Sequence, residues 1–280
     1  MSMLVFGRSG QVGSALARLA QGARFLGRDA ADLANPSACA AAILEARPSV
    51  VINAAAYTAV DRAEEEEALA QIINGEAPGE MARACAELDI PFLHISTDYV
   101  FDGSGDRPWS PIDPTAPVNA YGRSKATGEA AVRAAGGRHA ILRTSWVFSA
   151  TGSNFVTTML RLSESRDALN IVEDQIGGPT PAPAIAEALL EMAGSMVRGQ
   201  GGGTYHFAGA PATSWKGFAE EIFAAADRQV SVTGIPTKDY PTPAKRPLNS
   251  RLDCSAIETD FGIRPPDWRV ALHDVVKELI

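Results

Sequence analysis

The chain has 280 residues, 46% of them hydrophobic and 21% charged, a balance expected of a soluble globular protein rather than a disordered or fibrous one. A formal net charge of -8 argues against the basic face of a nucleic-acid binder, and no apolar run approaches the ~18 residues needed to cross a bilayer. Cys39, Cys85 and Cys254 are scattered and odd in number, and His94, His139, His206 and His273 show no metal-ligand spacing; a cytoplasmic chain with no signal peptide, no resident metal and neither a nucleic-acid nor a membrane partner is the expectation.

In chain order, the first half alternates short apolar runs with alanine-rich stretches. Met3–Phe6 reads as a strand, Val12–Gln21 as a helix and Ala23–Leu26 as a second strand. A helix over Ser37–Ala46 leads to the strand Ser49–Asn53, then to helices at Ala63–Ile73 and Pro78–Leu88 and the strand Pro91–Ser96. A helix over Asn119–Ala135 and a fifth strand, His139–Arg143, follow. Strands apolar on both faces and separated by helices imply an α/β fold whose parallel sheet is covered on both sides. The acidic run Glu64–Glu67 reads as a first helical turn complementing a helix N-terminus.

From Ser149 the character changes. Asn154–Ser163 reads as a helix and Leu169–Val172 as a short strand, and the turn-rich DQIGGPTPAP runs into a helix over Ile185–Val197. The strand Thr204–Phe207, the helix Trp215–Ala226, the strand Val230–Ile235 and the loop PTKDYPTPAKRP come next. The expected division is a dinucleotide-binding domain over residues 1–148, with 168–200 contributing further sheet or helix. A smaller, discontinuous substrate lobe is drawn mainly from 149–280.

Gly7, Gly10 and Gly13 form a G-x-x-G-x-x-G turn between the first strand and the helix that Gln11 and Val12 open. Glycines there allow the tight turn, close backbone approach to a pyrophosphate and close helix packing. The helix N-terminus offers unpaired N–H groups to the phosphates. After the second strand, Arg28 precedes Asp29, and Arg8 lies inside the turn, a pattern that favours NADPH while Asp29 keeps NADH open. Asp32 and Leu33 are placed to flank the adenine. Ala54, Ala55 and Ala56, with Tyr57 next, offer small residues beside the cofactor or a close-packed strand end.

Tyr121 and Lys125 in YGRSK fall one helical turn apart. A free phenol has a pKa near ~10, and a neighbouring ammonium lowers it. Bringing it to ~7 takes roughly 4 kcal/mol, which the lysine and an oxidised nicotinamide could jointly supply. A surface Tyr and Lys sharing a helix face is the alternative. Thr97, at the carboxyl end of the fourth strand, is placed to donate to a substrate oxygen, and Tyr121 to protonate it.

GRSGQVG, NAAAYTAVDRAE, HISTDYVFDG, PVNAYGRSKATGE, RTSWVF, DQIGGPTPA, GTYHFAG and KRPLNSRLD together resemble the dTDP-4-dehydrorhamnose reductase family of extended short-chain dehydrogenases, along the full length. The resemblance implies a Rossmann-type doubly wound sheet with a C-terminal substrate lobe. It also implies NAD(P)H-dependent reduction of a nucleotide-linked 4-keto sugar to dTDP-L-rhamnose, with Thr97, Tyr121 and Lys125 as the catalytic set. Asp98, Val100, Trp146, Arg246, Asn249 and Ser250, besides Thr97, become candidates for the sugar nucleotide. Asp98 reads equally as a turn cap, Trp146 also as a core side chain, and the Arg246 segment also as a solvated loop. Thr97-Asp98-Tyr99 stands where related 4,6-dehydratases resemble TDE; without that glutamate an elimination lacks its base, which favours simple reduction. Some relatives bridge subunits through Mg2+ held by acidic residues; the resemblance leaves Mg2+ open although this sequence does not itself support it, and a monomer and a homodimer both remain open. A regulatory NADP-binding subunit like the methionine adenosyltransferase beta subunit, or a reductase of another keto-sugar nucleotide, are the competing readings.

Overall fold

The computed structural model describes residues 1–280. Its first half runs β1 (Met3–Phe6), α1 (Gln11–Leu19), β2 (Arg24–Leu26), α2 (Pro36–Ala46), β3 (Val50–Asn53), α3 (Glu67–Gln71), α4 (Ala77–Glu87), β4 (Phe92–Thr97), α5 (Ala120–Ala134) and β5 (His139–Thr144). Next come β6 (Val147–Phe148), α6 (Phe155–Ser163), β7 (Ala168–Val172), β8 (Ile176–Gly177), β9 (Thr180–Pro181), α7 (Ala182–Val197) and β10 (Gly203–His206). The chain closes with β11 (Thr213–Ser214), α8 (Trp215–Ala225), β12 (Ser231–Ile235), β13 (Asn249–Ser250), α9 (Ser255–Phe261) and α10 (Trp268–Leu279).

Six strands form a parallel sheet in the order β10-β5-β4-β3-β1-β2. Successive strand side chains point to opposite faces, and this sheet uses both. Met3, Val5, Val50, Ile52 and Leu93 enter one core with α1 and α7, while Leu4, Phe6, Val51 and Phe92 enter the other with α2 and α4. A sheet buried on both sides needs such continuous apolar runs, which is why these strands stand out in the sequence. The chain leaves β1 toward β2 and returns on the other side as β3. That reversal opens a crevice at the carboxyl ends of β1 and β3, where open α/β sheets bind ligands.

A third core, with Phe148, Val156, Phe218, Ile222, Trp268 and Leu272, holds the second lobe. There β12 pairs with β7 and β8 lies between β11 and β13. Of residues 168–200, α7 packs with α1 against the six-stranded sheet, whereas β7 stays in the lobe.

Three local features go beyond what the sequence analysis expects. The helices foreseen over 63–73 and 78–88 are one bent rod: α3 passes through a π-helical segment, Ile72–Glu76, directly into α4. Its wider turn aims Asn74 inward, where Oδ1 accepts the Tyr57 N–H (2.8 Å) and Nδ2 donates to the Tyr57 carbonyl (2.9 Å) and Ser124 Oγ (3.0 Å). Gly128 lets α5 approach, since a Cβ there would run into the Asn74 carbonyl. Glu67 does lie in the first turn of α3, as expected, and the acidic run also serves a second helix. Glu64 accepts the Ala120 N–H at the start of α5 (2.8 Å), and Glu67 forms a two-bonded pair with Arg123 (2.8 and 2.9 Å). Finally, α9 and α10 were not anticipated from the sequence; Asp267 caps α10 by accepting the Arg269 N–H. No helix is long and apolar enough to cross a membrane.

Candidate active site

The glycine turn forms the floor of a cleft of about 690 Å³. Gly7 adopts φ +99°, and a Cβ there would lie 2.8 Å from the Ala54 carbonyl carbon, so β1 and the β3 exit can meet only with glycine. A Cβ at Gly13 would strike the Gly7 carbonyl oxygen, whereas one at Gly10 meets nothing within 4 Å because that position faces the cleft. Gly10 is also the N-cap of α1 and has no side chain to bond the first N–H groups, which stay free for an anion. This cradle fits a dinucleotide pyrophosphate. Gln11, Val12, Arg28, Asp32, Leu33, Ala54, Ala55, Ala56 and Tyr57 all line the same cleft, as does Arg8. Gly13 lies beneath it.

Thr97, Tyr121 and Lys125 converge on this cleft from two elements. Asn119 starts α5 by accepting the Gly122 N–H (2.8 Å), which sets the helix phase and turns Tyr121 and Lys125 toward the end of β4. Thr97 donates to Asp98 Oδ1 (3.1 Å) and accepts the Tyr99 N–H (3.2 Å). Lys125 is 1% exposed, and its Nζ donates to the Ile95 carbonyl (2.7 Å) and lies 3.1 Å from His94 Nε2. Burial brings it down to about 8, against the pull of Glu129.

The spacing alone predicts that Lys125 draws the Tyr121 pKa down. In this arrangement burial instead pushes the phenol up to about 12, with a Thr97 hydrogen bond opposing and Asp98 adding to the rise. The reason is geometric: Lys125 points at the β4 backbone and His94. Asp98 is itself buried, which raises it to about 6 against hydrogen bonds from Ser250 and Thr97, and its Oδ2 has no partner.

The substrate candidates divide. Thr97, Asp98 and Trp146 line the cleft. Trp146 sits at φ +48°, a strained backbone that aims its indole outward, 3.7 Å centroid to centroid from Trp215 in a near-parallel stack. Val100 is fully buried and does not line the cleft. Asn249 is 2% exposed, and its amide donates to the Arg107 carbonyl (2.8 Å), so it holds a loop rather than facing the cleft. Ser250 lies behind Asp98, and Arg246 pairs with Asp61 (2.7 Å) while its Nη1 is buried without a partner.

Sequence reasoning missed Trp215, Thr58, Val60 and the Gly152–Asn154 segment, all of which line the cleft. Gln11 links that segment to the glycine turn: its amide oxygen accepts from Ser149 Oγ (2.9 Å) and Asn154 Nδ2 (3.1 Å). No spacing in the sequence signals contacts across more than a hundred residues. No group of three or more His, Cys, Asp and Glu side chains is arranged to hold a metal ion.

A glycine turn shaped to admit a pyrophosphate, at the switch point of a doubly wound sheet and facing a Tyr–Lys pair on the helix after β4, is the arrangement of a short-chain dehydrogenase/reductase of the extended kind. A family model described as RmlD substrate binding domain matches residues 1–280, and the chain belongs to this family of dTDP-4-dehydrorhamnose reductases. It is 46% identical over 297 residues to the dTDP-4-dehydrorhamnose reductase of Burkholderia thailandensis, covering 100% of this chain and 99% of that one. The crystal structure of a dTDP-4-dehydrorhamnose reductase from Clostridium acetobutylicum superposes with a TM-score of 0.93 at 35% identity, covering 100% of this chain and 99% of that one. The Bacillus anthracis dTDP-4-dehydrorhamnose reductase in complex with NADP does so with a TM-score of 0.92 at 32% identity, covering 99% of each chain. The chain is accordingly an oxidoreductase of this class.

Proposed function

We propose that the protein reduces the 4-keto group of dTDP-4-dehydro-L-rhamnose, giving dTDP-L-rhamnose, with NADPH as reductant. The observation that carries this reading is the convergence of Thr97, Tyr121 and Lys125 on the cleft that the glycine turn floors. Bound NADPH supplies the hydride to the carbonyl carbon. Tyr121 gives its proton to the keto oxygen, and Thr97 donates a hydrogen bond to it as negative charge develops. Lys125 holds the nicotinamide ribose. Trp146 and Trp215 offer a stacked aromatic wall to the apolar side of the deoxysugar. Arg246, with an unused buried N–H, and Ser250 are assigned to the sugar nucleotide beyond Asp98. Arg28 and Arg8, at the adenosine end, support the choice of NADPH over NADH. Three free buried thiols accord with work in the reducing cytoplasm.

The test is direct. Purified protein is mixed with NADPH and dTDP-4-dehydro-L-rhamnose while nicotinamide absorbance is followed, with NADH in a parallel series. Turnover faster with NADPH is expected; binding of NADPH without turnover would leave a non-catalytic NADP-binding role.

A further inference from the structure

One polar chain beneath the cleft is more constrained than the rest. Asn53, His94 and Lys125 are each at most 1% exposed, so each polar atom among them must find its partner inside the protein. The Ala55 N–H donates to Asn53 Oδ1 (3.1 Å), which fixes the amide's orientation and leaves Nδ2, a donor, 3.2 Å from His94 Nδ1. His94 Nδ1 must then carry the lone pair. Burial, followed by the neighbouring Lys125, holds the ring well below its usual pKa, so it is neutral and its one proton is on Nε2. That N–H points at Lys125 Nζ, 3.1 Å away.

An ammonium has three donors and no acceptor, and facing an N–H it would be repelled. An uncharged amine resolves the count: it accepts from His94 Nε2, donates to the Ile95 carbonyl (2.7 Å) and keeps one N–H free. Building on the reductase reading above, we propose that His94 is a positioning residue that parks the uncharged form of Lys125, and that at alkaline pH cofactor binding recruits a proton from solvent and drives the lysine off His94 toward the nicotinamide ribose. Once charged, the lysine can no longer stay, because its partner offers only a donor.

The surroundings agree. On α5 the facing titratable groups are Tyr121 and Glu129, one turn either side. From β4 come His94 and, beyond Thr97, Asp98; from β3 only the neutral Asn53; from β5 Arg143, whose charge is taken up by Glu129 (2.6 Å). From the π-helical segment comes Asn74, occupied by Tyr57 and Ser124. Glu129 alone favours the ammonium, and burial of Lys125 outweighs it, leaving the amine at about 8.

Two measurements test this, neither depending on turnover. Long-range 1H–15N spectra of 15N-histidine-labelled protein without cofactor at pH 9 should show His94 as the Nε2–H tautomer; an Nδ1–H tautomer or a charged ring overturns the proposal. NADP+ titrated calorimetrically in buffers of different ionisation enthalpy should take up close to one proton per site at pH 9 and almost none at pH 7. Its affinity should fall roughly tenfold between those values, as expected for a lysine moving from about 8 toward the ordinary ~10.4. His94→Gln can present a carbonyl oxygen to Lys125 and so favour the ammonium before the cofactor arrives; the variant should lose the proton uptake that the parent shows at pH 9. Binding without proton uptake in the parent, or uptake unchanged in the variant, sinks the idea. If the variant does not fold, the tautomer and the parent's uptake still decide. Absence of NADP+ binding at every pH, by contrast, defeats the reductase reading itself.

Discussion

Replacing Glu129 by Gln probes the strut that ties α5 to β4 and β5. The carboxylate is fully buried and accepts from Ser96 Oγ (2.7 Å) on β4 and from Arg143 Nε (2.7 Å) and Nη2 (2.6 Å) on β5. Arg133, a turn along α5, adds a longer contact of 3.2 Å. Burial works to raise the Glu129 carboxyl, yet the bonds and charge of Arg143, with Ser96 and Arg133, hold it below the usual range. The Arg143 side chain is only 3% exposed, and its remaining contacts are a long bond to the Pro111 carbonyl, His206 at 3.3 Å and the face of Phe101 at 5.0 Å. None carries negative charge. Glutamine keeps one acceptor, loses the other and strands the guanidinium; breaking such a pair costs about 3–5 kcal/mol. Against a total stability of about 5–15 kcal/mol this is severe. Urea unfolding should show a loss of at least about 3 kcal/mol, moving the midpoint down by roughly 1 M. Adding Arg143→Met should recover more than half, since an apolar pair leaves no charge unpaired. A loss below about 1 kcal/mol, or no recovery in the double variant, would refute the claim that this ion pair braces β4 and β5 against α5.

Asp98→Asn should stabilise the protein above pH 6 and not below pH 4. The folded pKa is raised to about 6, so the carboxyl's contribution is fully present below its unfolded value of ~3.9 and is lost as pH rises through about 6. The shift sets an upper limit of roughly 3 kcal/mol, and a stability difference independent of pH contradicts it. Gly177→Ala should push Trp146 off Trp215, because the new Cβ would lie 2.8 Å from the indole Cε2. Tryptophan fluorescence should change, and KM for the sugar nucleotide should rise about tenfold, equivalent to about 1.4 kcal/mol, with kcat less affected; unchanged KM removes Trp146 from the sugar site.

The strands and the glycine turn were legible because their signals are local: apolar runs buried on both faces, and three glycines spaced for one bend. Tyr121 and Lys125 were legible for the same reason, since one helical turn separates them. What escaped depends on distant partners. Glu64 caps a helix that starts fifty-six residues later, and nothing in EEEE distinguishes that from a cap on its own turn. The π-helical segment arises from Asn74 bonding Tyr57 and Ser124, a tertiary cause invisible to helical periodicity. Strands of two residues around Trp146 are too short to show alternation. His94 looked like one of four scattered histidines until its place between Asn53 and Lys125 was seen.

The proposed proton donor is tested most directly by Tyr121→Phe, which removes one oxygen from a ring that lines the cleft and leaves the glycine turn untouched. NADPH affinity should stay within about twofold, while kcat with dTDP-4-dehydro-L-rhamnose should fall at least 10²-fold, the low end of what a positioned general acid contributes. Turnover within about threefold of the parent would show that another group protonates the keto oxygen, and the assignment built on Tyr121 would fall with it.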